Sequence, residues 1–95
     1  MSKRDAYVQK MQAKLDEWNS EIDKLAAKAD SAQADAKLKY QEQVEKLKVQ
    51  RDAARHKLDE LAHASESAWE DLRTGVDLAW ESISMAVKDA IARFK

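Results

Sequence analysis

The chain has 95 residues, of which 37 % are charged and 44 % hydrophobic, and a net charge of −1. One glycine, no proline and no cysteine exclude a disulfide framework, a thiolate metal site and a thiol nucleophile, and the Ala-, Glu-, Lys- and Leu-rich remainder is the composition of long helices. No apolar leader opens the sequence and no run of about 18 apolar residues interrupts it, so the expectation is a cytoplasmic protein.

Taken in order, Ser2 followed by Asp5 forms a capping-box pattern in which the serine accepts from an orphan backbone N–H of the first turn. Val8, Met11, Leu15, Trp18, Ile22 and Leu25 then alternate in steps of three and four, as a helix does when it buries one edge. Ala29, Ala32 and Ala36 continue that seam with little side-chain area. Asp30-Ser31 has the chemistry of a new cap, but no glycine or proline marks a stop, and the spacing predicts a helix running on. Past Ala36 the phase slips through Tyr40 and Val44, and then resumes at Leu47, Arg51, Ala54, Leu58 and Leu61. Arg51 falls within the seam, where its stem covers apolar surface while the guanidinium reaches a carboxylate.

A bend is expected at residues 63–67, where Ser67 and Glu70 make a second capping-box pattern. Beyond it the chain repeats every 11 residues. Trp69, Trp80 and Ile91 share one phase, Leu72, Ile83 and Phe94 a second, and Val76 and Val87 a third. Eleven residues are close to three whole helical turns, so the apolar face keeps its direction. Charge supports a fold-back. Residues 36–57 hold seven Lys/Arg against three Asp/Glu, whereas residues 59–81 hold seven Asp/Glu against one Arg, so the acidic segment is expected over the basic one.

Few residues suggest chemistry. Glu60 and His63 have the Glu-x-x-His spacing of di-metal carboxylate bundles, with His56 on the same side. The apolar seam, however, lies on the opposite side of that helix, so these groups point to solvent rather than into a core and no metal is expected. Lys46, Lys48, Arg51, Arg55 and Lys57 form a short basic stretch interrupted by Glu45 and Asp52. Without a base-reading motif it reads as a solvated face rather than a nucleic-acid surface. Ser65, Ser67, Ser82 and Ser84 have no general base placed beside them. The expectation is a non-enzymatic protein with no cofactor.

The opening residues 1–11, the central Arg51-Asp-Ala-Ala-Arg55 and Ala68-Trp-Glu-Asp-Leu72 with Trp80 resemble short bacterial coiled-coil domain-containing proteins of unassigned function. That resemblance implies helical architecture only. The 11-residue repeats resemble the amphipathic helices of apolipoproteins, synucleins and perilipins, in which Lys88, Arg93 and Lys95 would meet anionic head groups.

The fold these features predict is all-α, with a single helical domain over residues 1–95. A long helix covers about residues 2–63, and a second of about residues 67–94 folds back as a helical hairpin. Because the second helix covers only half of the first, Val8, Met11, Leu15, Trp18, Ile22 and Leu25 are expected to pair between copies in a homo-oligomer, most simply a dimer, or with a partner helix. The amphipathic face is Trp69, Leu72, Val76, Trp80, Ile83, Val87, Ile91 and Phe94. The alternative architecture is a monomeric three-helix bundle with an extra turn near Asp30-Ser31. The alternative function is binding of a lipid or granule surface through residues 68–95.

Overall fold

The chain is cut into three helices of nearly equal length: α1 (Lys3–Asp30), α2 (Ala34–Ala62) and α3 (Glu66–Arg93). The computed structural model describes residues 2–94; Met1 and Lys95, the latter expected on the polar face of the last helix, lie outside them. Tyr7 and Trp69 meet near one end and Tyr40 and Phe94 near the other, so the helices run up, down and up. The molecule measures 51 × 19 × 17 Å.

The single helix expected over residues 2–63 is therefore corrected: the chain turns at residues 31–33. A continuous helix of that length would reach about 90 Å, well beyond the observed long axis of 51 Å. Ser31 holds φ −93° and ψ 0°, and Gln33 is extended at φ −66° and ψ 156°. The Ser31 hydroxyl donates to the carbonyls of Ala27 (3.1 Å) and Lys28 (3.2 Å), which meets part of the need left by the broken ladder. The turn exists because of what it buries. Met11, Leu15, Trp18, Ile22, Leu25 and Ala29 are all buried in α1, and each large side chain among them gains about 1.5–3 kcal/mol on leaving water. A straight helix would forgo that gain unless a second chain supplied the cover.

The second turn uses the same geometry 32 residues later. His63 repeats the conformation of Ser31, and Ser65 that of Gln33. The hydrogen bonds also correspond: Ser31 to Ala27 and Ala32 to Ala29 in the first turn, His63 to Asp59 and Ala64 to Leu61 in the second. Among the described residues no backbone φ is positive, which is why neither turn needs glycine. The cap expected at Ser67 is found at Ser65, whose hydroxyl accepts from the Ala68 N–H (3.3 Å), so α3 starts at Glu66. At the chain start Ser2 caps as its pattern predicts, accepting from the Asp5 N–H at 3.1 Å.

All three helices contribute to one apolar core, and among the described residues no polar or charged residue is buried in it. The phase slip near Tyr40 now has a cause: it marks a separate helix turned to a new side of the core. Arg51 lies half-buried and pairs with the adjacent Asp52 (3.1 Å). Among the described residues, every ion pair within 4 Å joins residues of one helix four or fewer positions apart. The contact pairing expected between the basic and acidic segments is thus not made. Surface pairs gain little against side-chain entropy and solvent screening, and apolar burial holds the helices together instead.

Candidate functional site

α1 and α3, which run parallel, are joined by aromatic and polar contacts. The Trp18 and Trp80 rings lie 5.6 Å apart between centroids at 52°. The Trp80 indole Nε1–H donates to the Met11 carbonyl at 3.2 Å, so the one polar atom of that buried side chain is satisfied within the core. Nearer the start of the chain, Tyr7 packs on Trp69 with centroids 6.1 Å apart. Its hydroxyl donates to the Asp77 carboxylate, and the Arg73 guanidinium lies 5.4 Å from its ring centroid. The Arg4 guanidinium donates to the Ala64 carbonyl and ties α1 to the second turn.

Burial, and then the hydrogen bond and charge of Asp77, push the Tyr7 phenol well above its usual range, with Arg73 opposing. Tyr7 is therefore held as a neutral donor at ordinary pH, unsuited to act as a base or nucleophile. Its role is to fasten α1 to α3.

Above Trp18 and Trp80 runs an open groove of about 480 Å³. Lys10 and Lys14 of α1 form one bank, with Asp77 and Glu81 of α3 opposite. A neighbouring hollow of about 440 Å³ shares Glu17, Trp18, Ser84 and Lys88 with it. Opposite charges face one another across the groove, so the banks match within the chain.

The other apolar feature is on the outside. Leu78 and Met85 of α3 are 60 % and 65 % exposed and lie opposite the buried stripe of the helix, with Met85 also bordering the groove between α1 and α3. At 100° per residue, Leu78, Ser82 and Met85 lie within about 60° of one another, and Gly75 and Ala92 border them. This second stripe, spaced three and four like the first, was hidden in the sequence by the stronger 11-residue pattern. Leu38 and Val49 on α2 are as exposed, but no other large apolar residue joins them.

The predicted seam of α1 is covered inside the chain. Met11, Leu15, Trp18, Ile22 and Leu25 are buried, and Val8 is half-buried against the same core. On α3, Trp69, Val76, Trp80, Ile83, Val87 and Phe94 are buried, whereas Leu72 and Ile91 border the core at 37 % and 42 % exposure. His56 pairs with Glu60 (3.1 Å) in solvent, and His63 Nδ1 lies 2.8 Å from the Asp59 carbonyl. Among the described residues no group of three or more His, Cys, Asp or Glu is placed to hold a metal ion. Nor is any helix long and apolar enough to cross a membrane. No protein-family model matches the chain, and neither the curated proteins nor the solved structures give a match.

Proposed function

We propose that the protein is a non-enzymatic interaction module that works by protein–protein contact through the outward face of α3. One observation carries this reading: α3 is apolar on two sides. Its inner side fills the core, while Leu78 and Met85 project from the outer side at helical spacing. Two large apolar side chains aligned on a charged surface lower their free energy when a partner covers them.

Photo-crosslinking in the native host from a benzophenone amino acid at Met85 tests the reading. A discrete protein adduct is expected from Met85, absent from the same probe at Val49 and lost with Leu78→Glu. Absence of any adduct from Met85 overturns it. Binding a lipid or granule surface would use Trp69, Trp80 and Phe94, all of them buried in the bundle, so α3 would first have to leave the core. Co-sedimentation with anionic vesicles and a blue shift of tryptophan emission would favour that alternative.

A further inference from the structure

The first turn is held by the burial it allows more than by its own residues. Residues 26–36 include six alanines and neither glycine nor proline. Ser31, Ala32 and Gln33 lie outside the apolar core, and Gln33 precedes α2 without a side-chain cap hydrogen bond. The Ser31 hydroxyl bonds run back to Ala27 and Lys28 and fit equally well inside a longer helix. Across the turn, Gln41 donates to Asp30 at 3.4 Å on the surface. The second turn is fastened more firmly: Ser65 caps α3, Ala64 packs against the core, and its carbonyl accepts from Arg4.

We propose that the first turn is a hinge through which two copies of the chain exchange α1. Residues 31–33 straighten into a continuous helix, and α1 leaves its own bundle for the same place in a second copy, which returns its own α1. The contacts of α1 with α2 and α3 are all kept and only change chain, which makes such an exchange a low-cost route to a dimer.

Helical phase permits it. In a straight helix of 3.6 residues per turn, residues 36 apart are ten turns apart and lie on one line. Met11 and Leu47, Trp18 and Ala54, Ile22 and Leu58, and Leu25 and Leu61 are such pairs, one member buried in α1 and the other in α2. A helix running through residues 31–33 therefore carries both buried edges on one side, and two such helices can lie antiparallel along their length. One half of each covers α3 of its own chain, and the other half covers α3 of the second copy. The buried residues of α2 and α3 stand in the same relation, so phase alone would let either turn open. The fastenings of the second turn single out the first.

Opening also suits the local chemistry, since the alanine-rich segment favours helix. Against it stands the tether: α1 reaches its own core through three residues, at an effective concentration on the order of millimolar. A dimer with Kd on the order of 0.1–1 mM is therefore expected.

Refolding from denaturant at about 1 mM should give both monomer and dimer on gel filtration, and refolding at about 10 µM monomer alone. Small-angle scattering of the dimer should extend to at least the roughly 90 Å of a helix over residues 3–62, against 51 Å for the monomer. Ala34→Pro reads the hinge. Ala34 is the first residue of α2, a position proline favours, and Gln33 before it is already extended at ψ 156°. The monomer should keep its helix content, but the dimer, with proline inside its long helices, should weaken at least about a hundredfold for each hinge. Gln33→Gly acts the same way more mildly, by about threefold for each hinge, and reads the hinge if the proline variant does not fold. Dissociation on dilution should be no faster than unfolding of the chain, because α1 must leave one core to enter another.

A chain that refolds as monomer alone at the higher concentration overturns the proposal. So does a dimer whose Kd is unchanged by the hinge variants, or one that disperses faster than the chain unfolds, since either reports a surface contact. The outward face of α3 takes no part in the exchange, so failure of the hinge leaves the Met85 crosslink as it was.

Discussion

Replacing Gly75 by alanine should make the isolated bundle more stable. The position is in the interior of α3, its φ is within the range open to alanine, and the new methyl group would meet no atom within 4 Å. The change therefore acts through the backbone alone, by removing conformational freedom from the unfolded chain. Inside a helix the difference between the two residues is about 0.8–1.0 kcal/mol. For a chain of 95 residues the unfolding entropy is about 200 cal/mol/K, which converts the gain to a rise in Tm of about 4–5 °C. Far-ultraviolet circular dichroism during heating measures it. A urea series should show the same gain as a higher midpoint with an unchanged slope. An unchanged or lower Tm would refute the reasoning, because it would mean that the helix is not closed at Gly75 or that the space beside it is filled.

The second turn and the Tyr7 contact give two further tests. Ser65→Ala removes the observed cap and should cost about 1 kcal/mol, whereas Ser67→Ala should stay within about 0.5 kcal/mol; the reverse order of losses in urea would place the cap where the capping-box pattern had it. The phenol of Tyr7 is raised in the folded state relative to the unfolded chain. Its contribution is present below the unfolded value of about 10 and is lost as pH climbs beyond it. Stability of the native chain should therefore fall more steeply above that pH than stability of Tyr7→Phe. In a Tyr40→Phe background the phenolate absorbance should appear only well above the ordinary tyrosine range, and an ordinary titration would remove Tyr7 as a fastening.

Much of the helical content was legible because periodicity is a local property. Ser2 caps as its pattern states, α1 buries the edge that runs from Met11 to Leu25, and α3 buries most of its 11-residue stripe. The second bend was also legible, though two residues late, because Ser65 and Ser67 are equally able to accept from a first-turn N–H and only the observed backbone chooses between them. The outward stripe of α3 was present in the spacing of Gly75, Leu78, Ser82 and Met85, but a stronger signal on the opposite face masked it.

The first turn shows where local reading ends. Residues 26–36 are rich in alanine and lack glycine and proline, and by propensity alone they continue a helix. The turn at residues 31–33 uses no positive φ and so needs no glycine; its mark in the sequence is Asp30-Ser31, whose cap chemistry permits the turn of the alternative three-helix architecture without requiring it. What decides it is the free energy of covering Leu15, Ile22 and Leu25 with α2 and α3, a quantity that belongs to the whole chain. By itself, then, the sequence determined that the chain is all-helical and which edge of each helix is apolar, since both follow from spacings of three, four and eleven. Only the tertiary structure decided that those edges close on one another within a single chain, because burial rewards the turn that local propensity does not ask for.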